Sequence, residues 1–178
     1  MWLNFNVNKK LILNNCSYGK GVFAGEDIDA GEEILQFGGP IVGVKELPRP
    51  YTAKNDYYLQ IGTSTFLGPS GQLDDYVNHS CSANTGVVFD AGVIKLIAIL
   101  FVPAGNQITF DYSTTMDSFW WEMECACGSK NCRRKVENFV DLSEQIQYKY
   151  IKMGVVPEYI LKKLTCIPLR TPGHGDFL

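Results

Sequence analysis

What this 178-residue chain lacks narrows its class before any motif is read. It has no apolar run long enough to cross a bilayer: the longest, "VIKLIAILFV", contains Lys95 and falls far short of a span. A secretory leader is not expected either. The start, "MWLNFNVNKKLIL", places Lys9 and Lys10 after a short mixed segment, and no apolar stretch with a small-residue cleavage site follows. Strong charge is also missing. The formal net charge is −3, which argues against a nucleic-acid binder, since those carry a clear basic excess. A mildly acidic surface suits Lys/Arg-rich peptides but decides nothing at this magnitude. No internal repeat and no low-complexity segment stands out.

Apolar residues, by contrast, are plentiful. With 46% hydrophobic and 12% aromatic residues the chain can build a real core, so a globular domain is expected. The composition points to a soluble intracellular protein without membrane contact or direct nucleic-acid binding; it does not separate nucleus from cytoplasm. In a reducing compartment its six cysteines read as thiols or metal ligands rather than disulfides.

Residues 9–112 read as short strands broken by turns. "KKLILNN" precedes the glycine-spaced "YGKGVFAGEDIDAGEEILQF", where Val22 and Phe23 sit between Gly19, Gly21 and Gly25 and "DAG" marks a turn. "DYYLQIGTSTFLGPSG" alternates and breaks as a hairpin does. "TGVVFDAGVIKLIAILFVPAG" holds two β-branched apolar runs separated by Asp90-Ala91-Gly92, a strong hairpin signal. The last third changes character. "DLSEQIQYKYIKMG" reads as a helix with Asp141 or Ser143 as N-cap and Gly154 as stop. "PEYILKKL" reads as a second helix with Pro157 in its first turn, and the tail from Cys166 reads as loose. The expectation is a mostly β domain with C-terminal helices.

Four groups of residues are candidates to carry chemistry. In "DDYVNHSCSANTG", Asp74 to Gly86, the residues Asn78, His79, Ser80, Cys81, Ser82 and Asn84 follow one another between strand-like segments. Such polar side chains either lie on a surface loop or have partners, because burying them unpaired is expensive. Cys125, Cys127 and Cys132 form C-x-C-x4-C around Gly128, a compact spacing that favours a metal over chance thiols on a loop. Tetrahedral zinc needs a fourth ligand, from among Cys16, Cys81, Cys166, His79 and His174. "GKGVFA" is a Gly-x-Gly that marks a turn, or a place where a ligand approaches the backbone closely. "ITFDYS" puts Tyr112 at a strand end beside Asp111, a position that a merely half-buried tyrosine also fills.

Taken in order, "YGKGVFA", "NHSCSAN", "ITFDYS" and "CACGSKNCRR" resemble the four hallmarks of SET-domain protein lysine methyltransferases with a post-SET zinc segment. The likeness runs from about Leu11 to Arg134. It implies a SET-domain, β-clip-like fold of small curved sheets, in which the NHSC and FDY segments cross in a pseudoknot, plus C-terminal helices. The implied division is a SET domain over 1–118, a post-SET segment over 119–136, and a helical extension and tail over 137–178. The implied activity is methyl transfer from S-adenosylmethionine to the side-chain amine of a lysine in a protein or peptide, a histone or another. Cofactor binds on one side of the crossing and lysine enters from the other; oligomeric state stays open.

Residue by residue, the resemblance assigns Gly19, Lys20, Gly21 and Val22 to the methionine end of the cofactor through main-chain atoms. It assigns Asn78 and His79 to the amino-acid and adenine portions, with Tyr112 and Trp120 completing the cofactor set. Trp120 and Trp121 close over cofactor and channel, or serve as plain core packing. Cys81 becomes the fourth zinc ligand beside Cys125, Cys127 and Cys132, leaving Cys16 and Cys166 over. Tyr112, Phe110 and Tyr58 are the catalytic set. The Tyr112 hydroxyl orients the amine and is no general base, given a tyrosine pKa of about 10. Phe110 stands where a tyrosine restricts members to monomethylation, so more than one methyl is expected; an ordinary apolar strand residue is the competing reading. Four departures stand out: Ala83 for proline, "GNQITF" without an acidic residue, Phe37 for tyrosine, and Arg134 for glycine. Phe37 removes one channel hydroxyl and keeps a rival in view, a SET-like module that binds cofactor or a lysine-bearing peptide and transfers methyl poorly. Tyr112, Asn78 and His79 favour the enzyme.

Overall fold

The computed structural model describes residues 9–17, 19–49, 57–118 and 122–166. Strands β1 (Leu11–Cys16) and β2 (Gly19–Ala24) form an antiparallel hairpin, Leu11 opposite Ala24 and Cys16 opposite Gly19. After the turn at Gly31 comes β3 (Glu33–Phe37), then β4 (Ile41–Gly43), β5 (Leu59–Gln60) and β6 (Thr65–Leu67). The last three make a small sheet in the order β4-β6-β5. Strands β7 (Asn78–His79), β8 (Thr85–Asp90), β9 (Val93–Ala98) and β10 (Thr109–Phe110) complete a larger sheet in the order β3-β9-β8-β10-β7. A two-stranded ladder, β11 (Met123–Glu124) and β12 (Lys135–Val136), holds the cysteine-rich segment. Two helices follow, α1 (Glu144–Lys152) and α2 (Glu158–Cys166). No described helix is long and apolar enough to cross a membrane.

The expected hairpins form, with one refinement. Asp90 pairs with Val93, so the β8–β9 loop is only Ala91-Gly92, at φ +47° and +83°. Both central residues are left-handed, as in a type I′ turn, whose twist matches that of the flanking strands. Of the two candidate caps for α1, Ser143 is the N-cap and its carbonyl accepts the Ile146 and Gln147 amides, while Asp141 belongs to a short 3-10 turn, Phe139–Asp141. Gly154, at φ +69°, ends the α1 region as expected. Pro157 precedes α2 rather than lying inside it, and its carbonyl accepts from Ile160 and Leu161. The tail beyond residue 166 lies outside the described residues.

The sheet order contains the crossing. Strands β7 and β8 are joined by residues 80–84 alone, yet β10 lies between them and runs parallel to both. Thr109 and Phe110 pair with Asn78 and His79, and Phe110 also faces Thr85. Asn84 fastens the crossing. Its side-chain amide donates to the Gln107 carbonyl and its oxygen accepts from the Thr109 amide, both at 2.9 Å.

Burial supplies the driving force. Val22, Ile34, Leu35, Val87, Leu96 and Ile108 form a core between the hairpin and the large sheet. Each such side chain contributes about 1.5–3 kcal/mol on leaving water. Phe139, Tyr150, Val155 and Ile160 make a second core that packs against Ile97 and Ile99. Gly86 makes room for it, since a Cβ there would collide with Val155.

Candidate functional site

Two clefts open on either side of the β7–β10 crossing. The narrower one has about 560 Å³ of empty volume and is walled by aromatic side chains, including Phe37, Tyr58, Phe110 and Tyr112. The wider one has about 1410 Å³ and runs along Gly19, Lys20, Asn78, His79 and Tyr112 to Cys125 and Cys127. Tyr57, Asp75 and Tyr112 line both. Tyr112 sits just past β10, in a 3-10 turn over Tyr112–Thr114 for which Asp111 is the N-cap. Its hydroxyl donates to the Val77 carbonyl at 2.9 Å and its amide donates to His79 Nδ1 at 3.2 Å. The ring packs 4.8 Å from Phe110 and 5.4 Å from His79, centroid to centroid. Phe37 meets Phe110 edge-on at 6.0 Å.

The wider cleft depends on contacts between distant segments. Asn78 donates from its side-chain amide to the Lys20 carbonyl at 2.9 Å and lies 3.5 Å from the Cys16 sulfur. Gly21 allows this approach: a Cβ there would collide with Gln107 and fall 2.9 Å from Asn78 Nδ2. Gly19, at φ +105°, lines the cleft with open space around it. Val22 faces the core and Gly21 backs onto Asn78, so these two stand behind the cleft wall. Trp120 and Trp121 lie outside the described residues, as do the Cys166 side chain and His174.

His79 is buried, and it links the cleft to the cysteine corner. Its Nε2 lies 3.4 Å from the Cys81 sulfur, and its Nδ1 is 3.5 Å from Asp111 Oδ1. Burial lowers its pKa to about 4, with the Asp111 charge opposing and the Arg133 charge reinforcing, so the ring is neutral at pH 7. Asp111 is sealed in turn. Arg133 grips it with two hydrogen bonds of 2.8 Å, one to each oxygen, and also donates to Ser113 Oγ at 3.1 Å. A planar guanidinium matches a carboxylate in this forked geometry.

Cys81, Cys125, Cys127 and Cys132 converge, their sulfurs all within 4.8 Å of one another. Cys125 lies 3.7 Å from both Cys81 and Cys132. A tetrahedral zinc with Zn–S of about 2.3 Å places its sulfurs about 3.8 Å apart, so the cluster has the dimensions and donor set of a structural zinc site. Of the candidates for a fourth ligand among the described residues, Cys81 joins the three; His79 stands just behind it. The Arg133 amide donates to the Cys81 sulfur at 3.4 Å, tying the same residue to both the cysteines and Asp111. Sequence reasoning missed the Asp111–Arg133 pair and also Tyr57, Asp74 and Asp75 in the cleft walls. The only local signal was the acidic pair preceding "VNHSC".

Paired clefts across a threaded strand are the architecture of a SET domain. The SET domain family model matches residues 19–113, more than half of the chain, and the chain belongs to that family. It is similar to the histone-lysine N-methyltransferase ASHH3 of Arabidopsis thaliana, with 27% identity over 143 residues, 74% of this chain and 39% of that protein. It also resembles the H3 lysine-36 specific histone-lysine N-methyltransferase of Yarrowia lipolytica, with 31% identity over 127 residues, 64% of this chain and 16% of that one. The chain thus spans well under half the length of these relatives. Among solved structures, the methyltransferase domain of human histone-lysine N-methyltransferase SETMAR superposes with a TM-score of 0.62 at 20% identity, over 75% of this chain and 60% of that chain. Arabidopsis thaliana SUVH6 in complex with SAM gives a TM-score of 0.61 at 21% identity, over 74% and 33%.

Proposed function

We propose that this chain transfers methyl from S-adenosylmethionine to the side-chain amine of a lysine in a protein substrate, a histone being the first candidate from the names of its relatives. The observation that carries the reading is the meeting of the two clefts at Tyr112. Cofactor in the wide cleft and lysine in the narrow one would face each other across that residue. S-adenosylmethionine, when bound, supplies an electrophilic methyl group on a sulfonium. Gly19, Lys20 and Asn78 would hold it, and the buried neutral His79 supports the cleft floor.

The chain's own residues do the rest. A free lysine has a pKa of about 10.4 and must shed a proton before it attacks. The aromatic wall of Phe37, Tyr58 and Phe110 desolvates the amine and so favours its neutral form. Tyr112, fixed by Val77 and His79, positions the amine and supplies no base. Phe110 presents no hydroxyl to the cleft, which supports room for an amine already bearing methyl groups. Zinc held by Cys81, Cys125, Cys127 and Cys132 would fix residues 122–136 against the wall of the wide cleft. These roles favour a division at about residue 118, with the cysteine segment to about 136 and the helices beyond it.

The test is transfer of labelled methyl from S-adenosylmethionine to a panel of core histones, wild type beside Tyr112→Phe. The variant should lose about a hundredfold in kcat, the scale of a misplaced reacting group, and keep its cofactor affinity. Cofactor binding without transfer to any histone or cell-extract protein would favour the binding-module reading. Loss of cofactor binding in wild type would defeat the proposal.

A further inference from the structure

Asp74 is a carboxylate set in an aromatic wall. It lies in the 3-10 turn Leu73–Tyr76, is 8% exposed, and lines the narrow cleft with Phe37, Tyr58, Phe110 and Tyr112. Two neutral donors hold its oxygens: the Gly38 amide at 3.0 Å and the Ser70 hydroxyl at 2.6 Å. An ionised carboxylate has about four acceptor positions, so about half of them are left for a further partner. Among the described residues, no lysine, arginine or histidine pairs with it. Burial pushes its carboxyl above the ordinary range, against the pull of Ser70 and Gly38. The neighbouring Asp75 is more fully occupied. It accepts from the Ser70 and Gly71 amides at 2.9 and 2.7 Å and from the Ser70 hydroxyl at 3.2 Å.

Resting on the reading that the narrow cleft receives a side-chain amine, we propose that Asp74 is the cation anchor of that cleft. Its remaining acceptor positions receive the arriving ammonium, so the site selects a charged lysine over a neutral side chain of the same shape. A buried carboxylate with no resident cation among the described residues is costly to keep, and an incoming cation offsets that cost. Transfer itself needs the neutral amine, and a carboxylate beside the amine opposes its deprotonation, so Asp74 acts on capture and selection alone: its loss raises KM and leaves kcat unchanged or higher.

Two degenerate peptide libraries, alike except for a central lysine or a central norleucine, test this. Each is titrated by fluorescence anisotropy onto the protein with and without S-adenosylhomocysteine. Wild type should favour lysine by about tenfold or more, the scale of a hydrogen bond to a charged group. Asp74→Asn should bring the two libraries within about twofold, while Asp74→Glu restores the preference. A lysine preference that survives in Asp74→Asn overturns the proposal, as does a wild type that binds both libraries alike or neither. Should Asp74→Asn lose its cooperative melt, Asp74→Ala is read in the same way. Calorimetry of S-adenosylhomocysteine decides the cofactor reading separately, because the peptide preference is scored in its absence as well.

Discussion

Asp111, which caps the turn carrying Tyr112, and Asp74, which lines the narrow cleft with Tyr112, are both buried carboxylates, and they are satisfied in opposite ways. Asp111, 1% exposed, has a guanidinium clamped across both oxygens. Asp74 has one amide and one hydroxyl, both uncharged. A carboxylate with a resident cation is architecture: its charge is spent holding the cysteine segment to the strand that carries Phe110. A carboxylate with neutral partners keeps an unspent charge directed at whatever occupies its cavity. The difference separates the corner that holds the domain together from the wall of the narrow cleft, where substrate is proposed to bind.

The sharpest way to break this contrast is through the cysteines, because Arg133 follows Cys132 and its amide bonds Cys81. Cys127→Ser should abolish an otherwise equimolar zinc content and give the largest fall in melting temperature, since structural zinc contributes folding energy outright. Metal analysis by mass spectrometry and a thermal melt check both; a wild type without zinc removes the metal assignment. Next in size is Arg133→Met. Stripping a buried carboxylate of its partner costs about 3–5 kcal/mol, measurable by urea unfolding, and adding Asp111→Asn should recover part of the loss. Asp74→Asn should leave stability within about 1 kcal/mol of wild type, because the hydrogen bonds it weakens are offset by relief of a buried charge, while weakening the lysine preference. If the two carboxylates prove equally costly to neutralise, the division between architecture and binding fails. The smallest effect has the opposite sign. Ala91→Gly in the β8–β9 turn should stabilise by about 0.5–1 kcal/mol, because glycine adopts φ +47° without the Cβ penalty.

Much of this was legible along the chain. The β8–β9 hairpin follows from β-branched runs around Asp90-Ala91-Gly92, and both helices follow from their stop and start residues. The three clustered cysteines read as metal ligands through spacing alone, and they lie in a four-sulfur group with the dimensions of a metal site. Other features were not legible, since they arise between segments far apart in the chain. Gly21 reads as a turn or as room for a ligand, and the space it leaves beside Asn78 and Gln107 is seen only in the fold. Tyr112 reads as the end of a strand, whereas Asp111 caps a turn that lifts it out of the ladder. Val22 is assigned to the cofactor through its main chain, and only the fold shows that alternation along β2 sends its side chain into the core.

What the sequence by itself determined is the inventory: strands and helices in order, a thiolate cluster, and polar residues placed where a family keeps its cofactor. Local propensity, turn chemistry and short-range spacing suffice for those, because each depends on neighbours a few residues away. Only the tertiary structure decided that β10 threads between β7 and β8, that Cys81 joins three cysteines more than forty residues on, and which buried acid receives a cation. Those outcomes depend on burial and on pairing between distant segments. Charge in a low-dielectric interior is governed by what the fold brings within about 4 Å of it, and no stretch of sequence encodes that neighbour.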